Sequence, residues 1–244
     1  MALELIPFLD TFGALARERG FVARVLCETA AGPMMAWERG ENAPATYLSA
    51  GMHGDEPAGP LAALELLREG HFDTGNWLLC PALNPTGLAA GTRDNAEGID
   101  LNRDYWNRRS KEVRAHAAWL ESLPCPQLFC SLHEDWESSG FYLYEINLAE
   151  DRPDRVASIF NAVAPWFAPE ASTLIDGHEI RAPGWIYHAA EADLPDDWPE
   201  AIFLAKRGCP LSFTYETPSA MALNDRVAAQ MAAVRAALAG HPAL

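Results

Sequence analysis

Short apolar runs alternate with segments of helical period along this chain, and four of the runs lead straight into polar residues suited to chemistry. Residues 46–50 lead to His53 and Glu56, residues 76–83 to Asn84, residues 127–132 to His133, and residues 211–215 to Glu216. Strands that alternate with helices build a sheet between helical layers. In open sheets of this kind the ligand site lies outside the carboxyl ends of the strands. The expected architecture is a three-layer α/β/α fold in one domain over residues 1–244, with polar groups gathered at one end of the sheet.

The remaining segments fill in that outline. Residues 3–20 read as a lead-in with a short helix stopped by Gly20, and residues 21–27 and 34–38 as an antiparallel hairpin turning at 30–33. The hairpin makes the sheet mixed and mostly parallel rather than purely parallel. Helices are expected at 57–67, 110–123, 153–163 and 199–206, with one further strand at 141–146. Ser219 is expected to cap a last helix whose stripe is Val227, Met231, Val234 and Leu238, closed by Gly240. Two stretches lack periodicity: the long polar loop 84–107, and residues 165–200, which are rich in Pro, Trp and Asp. A structureless loop that long in a compact domain is usually functional.

Composition excludes some partners. The net charge of −16 disfavours nucleic acid and anionic membrane surfaces, which both require basic patches. The start of the chain lacks the basic and apolar regions of a signal peptide, and no apolar run is long enough to span a bilayer. Five scattered cysteines, an odd number, read as the reduced thiols of a cytoplasmic protein.

His53 and Glu56 stand three apart on a Gly-containing turn between a strand and a helix, so both can face one centre. Imidazole and carboxylate are zinc ligands at about 2.0–2.2 Å, and catalytic zinc takes three of them. An H-x-x-E alone also describes a surface histidine beside a helix-capping glutamate. His133 is the candidate third ligand; its other reading is a strand-end histidine with a backbone partner. In the polar loop, Arg93, Asn102 and Arg103 offer donors that fit a carboxylate or an oxyanion. The alternative there is loop bracing, with Arg93 paired to Asp94 or Asp100. Glu216 follows an apolar strand, where burial raises a carboxylate's pKa and suits it to accept a proton; it could also simply sit near a helix start.

Taken together, the motifs resemble the zinc carboxypeptidase family, the carboxypeptidase A-like metallopeptidases. The segments are His53-Gly54-Asp55-Glu56, Asn84-Pro85-Thr86-Gly87, Arg93, Asp100-Leu101-Asn102-Arg103, Ser131-Leu132-His133 and Tyr215-Glu216, in the family's order. The resemblance covers about residues 46–218. It implies one zinc ion per chain on His53, Glu56 and His133, and Arg93 polarising the scissile carbonyl. It also implies Asn102 and Arg103 gripping the substrate carboxylate, with Glu216 as general base.

The chain departs from the digestive carboxypeptidases at Asp55, where they carry Arg. H-G-D-E is more similar to the murein-peptide amidase branch, and succinylglutamate desuccinylase and aspartoacylase, with H-G-N-E, form a related branch. Asp55 is a candidate to hold a ligand histidine or to pair with a basic residue, and Tyr187 is the best-placed counterpart of the family's mobile tyrosine. The expected activity is zinc-dependent hydrolysis of an amide bond next to a free carboxylate, on a peptide. An N-acyl amino acid substrate is the alternative, and a non-catalytic carboxylate-binding module is a third reading. A small closed pocket would favour the acyl amino acid, an open cleft the peptide.

Overall fold

A computed structural model describes residues 2–40 and 45–240. After helix α1 (Leu5–Glu18), β1 (Val22–Thr29) and β2 (Gly32–Arg39) form the expected hairpin. Then follow β3 (Thr46–Ala50), α2 (Ala58–Arg68), β4 (Trp77–Cys80), α3 (Pro85–Ala90) and α4 (Lys111–Glu121). The chain continues through β5 (Leu128–Asp135), β6 (Tyr142–Asn147), α5 (Pro153–Val163), β7 (Leu174–Ile175), β8 (His178–Glu179) and β9 (Trp185–Tyr187). It closes with α6 (Glu200–Lys206), β10 (Leu211–Pro218) and α7 (Leu223–Ala239).

Eight strands make one sheet in the order β1-β2-β4-β3-β5-β10-β6-β9, and β7 pairs only with β8. The pairs β3/β4, β3/β5, β5/β10 and β6/β9 are parallel; β1/β2, β2/β4 and β6/β10 are antiparallel. This is the mixed, mostly parallel carboxypeptidase-like sheet. Central strands are apolar without interruption because both faces are covered. Within β3, Tyr47 belongs to the core under α4 and α6, while the next residue, Leu48, belongs to the core under α1, α2, α5 and α7. Leu78 and Leu79 of β4, and Phe129 and Cys130 of β5, divide in the same way. Period-two alternation between two cores fixes the register, since a one-residue slip would exchange them.

Three expectations need correcting. The stretch 84–107 is not structureless: it holds α3 and a 3₁₀ turn at Leu101–Arg103. The Asn84 side chain accepts from the Gly87 amide at 2.8 Å, Pro85 opens the helix, and Gly91 ends it at φ 70°. Asn-Pro here is thus a helix start, and the helix is too short to show a period. Residues 165–200 contain β7, β8 and β9. Ser219 caps nothing, because α7 begins at Leu223 with no side-chain cap; the Ser219 amide instead donates to the Asp135 carbonyl at 2.8 Å. No described helix is long and apolar enough to cross a membrane.

Candidate metal centre and active site

The turn after β3 is shaped by close backbone packing. Gly51 has φ 67°, and a Cβ on Gly54 would lie 1.8 Å from the Gly87 carbonyl carbon. Only glycine at 54 lets the loop settle against α3, where its amide donates to the Thr92 carbonyl at 3.0 Å. With the loop fixed there, His53 and Glu56 face the end of β5, where His133 lies.

The three side chains converge and are buried. His53 Nδ1 lies 2.6 Å from Glu56 Oε1, His133 Nδ1 lies 3.0 Å from Glu56 Oε2, and the two Nδ1 atoms are 3.3 Å apart. Among the described residues they form a group able to hold a metal ion, and two imidazoles with one carboxylate are a zinc-type donor set. Burial pulls the His53 pKa down, but the Glu56 charge and hydrogen bonds to Asp100 and Glu56 outweigh it and lift it to about 9. Burial pushes Glu56 up, yet the two imidazoles hold it at about 2. Burial lowers His133 despite the attraction of Glu56. The donors are thus a carboxylate, a neutral imidazole and an imidazole that must shed one proton to ligate.

The group behind His53 is Asp100, not Asp55. His53 Nε2 lies 3.2 Å from Asp100 Oδ1, whereas Asp55 is exposed. Asp100 also accepts from the Asn102 amide at 2.8 Å and from Arg93 Nη2 and Nε at 3.0 and 3.1 Å. Burial pushes its carboxyl up, but His53 and the guanidinium charges of Arg93 and Arg103 hold it well down. Arg93 therefore sits between Asp100 and Glu56, with Nη1 3.7 Å from Glu56 Oε1. The pairing of Arg93 with Asp100 is one of the two the sequence offered, whereas the contact of Asp100 with His53 was not; the available signal was an Asp two residues before Asn102, a spacing that closes a turn on itself.

Glu216 pairs in register with His133 across the parallel β10/β5 ladder and with Tyr142 across β6. Burial first, then the charges of Glu56, Asp135 and Asp176, push Glu216 well above the usual carboxylate range. Asn102 Oδ1 accepts from the Glu200 amide at 3.0 Å, and Arg103 Nη1 donates to the Asn102 carbonyl at 2.9 Å.

His53, Glu56, Arg93, Asn102, Arg103 and Glu216 all line one cavity of about 530 Å³. The far walls are made by Tyr142 and Tyr144 from β6, Asp176, His178 and His188 from the 165–200 region, and Trp136 at an exposed position. Tyr142 and Tyr144 donate to Asp176 Oδ2 at 3.1 and 2.6 Å. Tyr187 does not line the cavity; its ring lies 4.8 Å from the Arg181 guanidinium, and Tyr144 presents a phenol to the cavity instead. β9 pairs beside β6 with Ile186 turned into the small cluster of Tyr142 and Ile175, which sends Tyr187 away.

The chain is similar to known proteins in sequence and in fold. A sequence profile of the succinylglutamate desuccinylase/aspartoacylase catalytic domain matches residues 42–240. Carboxypeptidase SOL1 of Arabidopsis thaliana is 30% identical over 105 residues, which is 34% of this chain and 21% of that protein. A protein of Shewanella denitrificans provisionally assigned as a metallopeptidase superposes with TM-score 0.86 at 24% identity, covering 99% of this chain and 92% of the other. A metallo-carboxypeptidase of Burkholderia cenocepacia gives TM-score 0.71 at 18% identity, with coverages of 98% and 69%. At these identities the two structures show a shared fold.

Proposed function

The chain belongs to the succinylglutamate desuccinylase/aspartoacylase catalytic-domain family, and we propose that it hydrolyses an amide bond beside a free carboxylate in a small substrate, with one zinc ion at its catalytic site. The observation that carries this reading is the buried grouping of His53, Glu56 and His133, of which His53 and Glu56 line a cavity that also takes in Glu216, Arg93, Asn102 and Arg103.

When bound, a zinc ion supplies a Lewis acid and a water whose pKa is near 7. In this reading Glu216, on the wall of the same cavity, takes the proton and later delivers it to the leaving amine. Burial and its acidic neighbours keep it basic enough for that exchange, and the positive charge of a filled site limits the rise. Arg93, braced by Asp100, faces the developing oxyanion. The Asn102 carbonyl oxygen is spent on α6, so its amide nitrogen is the atom available to a substrate. With Arg103 it offers donors to a carboxylate on the wall of the cavity.

A cavity of about 530 Å³ suits a ligand of dipeptide or acyl amino acid size. That volume and the family match favour an N-acyl amino acid over a long peptide. The complete donor set and the placed Glu216 speak against a module that only binds. Five free thiols fit a reducing compartment and so the cytoplasm. The test is kcat/KM on paired acids and amides across N-acyl amino acids, dipeptides and muropeptide fragments. Acids of the first two classes are expected to be cut and their amides spared; equal rates on acid and amide overturn carboxylate recognition.

A further inference from the structure

We infer that His178, His188 and Asp193 form a second site for a divalent transition-metal ion of the zinc class, on the wall of the same cavity. Each offers one donor atom, and the three lie within 4.8 Å of one another. His178 Nε2 is 3.3 Å from Asp193 Oδ2 and His188 Nε2 is 3.4 Å from Asp193 Oδ1. These separations exceed those of good hydrogen bonds. Each imidazole faces a different oxygen of the one carboxylate, and each separation is close to the donor–donor spacing of about 3.3–3.4 Å around an ion with bonds of about 2.0–2.1 Å. The two Nδ1 atoms of the first site stand 3.3 Å apart, the same spacing.

The imidazoles are held in place before any ion arrives. His188 Nδ1 lies 2.6 Å from the Ala189 carbonyl, which fixes the proton on Nδ1 and leaves the Nε2 lone pair facing Asp193. A backbone partner on the far nitrogen is the usual support of a metal-bound histidine. The Tyr144 ring stands edge-on to both imidazoles, at 5.6 and 6.0 Å between centroids, and the imidazoles are 4.7 Å apart. The histidine side chains are only 21% and 13% exposed, while Asp193 at 66% is free to adjust. β8, the segment after β9 and the following loop each supply one ligand, so an ion would tie three separately threaded stretches together. It would also place a cation on a wall that carries Asp176 and Asp197, with a coordination position left for an anionic group in the cavity.

The experiment does not depend on hydrolysis. Tag-free full chain carrying His53→Ala and His133→Ala is stripped with chelator and titrated with zinc by calorimetry and elemental analysis. One ion per chain is expected to remain, to weaken about tenfold or more with Asp193→Asn, and to vanish with His188→Ala. Cobalt should give the visible absorption of a four-coordinate nitrogen/oxygen site in the first protein and not after His188→Ala. With the first site intact, His188→Ala should take the stoichiometry from two to one. The inference falls if the silenced chain binds no zinc, or if an ion it binds survives both His178→Ala and His188→Ala, since that ion then sits on other surface groups.

Discussion

Replacing Asp100 by Asn separates two opposing effects at the first metal site. The amide keeps the shape but removes the charge that faces His53 Nε2 at 3.2 Å and Arg93 Nη2 at 3.0 Å. Loss of a carboxylate behind a ligand histidine weakens metal binding about 10–100-fold, or about 1.4–2.7 kcal/mol. Against this, His53 titrates at about 9 and must lose its proton to ligate. At pH 7 that competition costs about two pH units, hence about 100-fold or about 2.7 kcal/mol. The hydrogen bond to Asp100 is part of what holds the proton, so Asp100→Asn relieves some of this competition. The wild-type zinc affinity should therefore climb steeply from about pH 7 to pH 9, while that of the variant levels off earlier. The deficit of the variant should approach its full 10–100-fold near pH 9 and shrink toward pH 7. Apparent Kd values from chelator competition across this range provide the measurement. Any proton lost by the metal's own hydration shell is common to both proteins and cancels. Parallel profiles, with the same deficit at pH 7 and pH 9, would refute the assignment of Asp100 as the partner of His53. Asp55→Asn, at an exposed position, should leave the profile unchanged.

His53→Ala or His133→Ala should abolish binding at the first site, read by elemental analysis after the second site is silenced with His188→Ala. Glu216→Gln should retain zinc yet lose several orders of magnitude in kcat; near-normal turnover would remove it as the base. Arg103→Ala should lower kcat/KM on free acids and leave amides untouched, erasing a preference worth roughly 1.5–3 kcal/mol. Glu200 is buried, accepts from Tyr47 and Ser49 at 2.7 and 2.8 Å, and is raised by that burial from 4.5 to about 7. A raised carboxyl stabilises the fold below its unfolded pKa, and this contribution is lost as pH rises through the folded value. Denaturant titrations of Glu200→Gln should thus show a flatter decline between about pH 4.5 and 7, by up to about 3 kcal/mol; an unchanged slope counts against the raised value.

What the sequence disclosed follows from the range of its signals. His53, Glu56, His133 and Glu216 stood out because the first two lie on the turn after β3 and the others near the ends of β5 and β10, and strand ends in such sheets gather on one side. Asp100 was not, because its partner His53 lies 47 residues away and only the folding of the loop over the β3 turn joins them. That Tyr187 lies off the cavity was hidden for a similar reason. Which face of β9 meets the cavity depends on its pairing beside β6, and a three-residue strand carries too little alternation to announce that. The 165–200 wall is built from two- and three-residue strands, below the length at which periodicity is readable.

The position of β10 bears on how the protein is made. It is the last strand in the chain but lies between β5 and β6 in the sheet, and it carries Glu216 to the side of His133. The three first-site metal ligands are all synthesised by residue 133, and the proposed base arrives 83 residues later. At about 5–20 residues per second, a ribosome needs about 4–17 s to cover that distance. The proposed donors are therefore all made well before the proposed base, and in this reading hydrolytic competence waits for β10 to enter between β5 and β6.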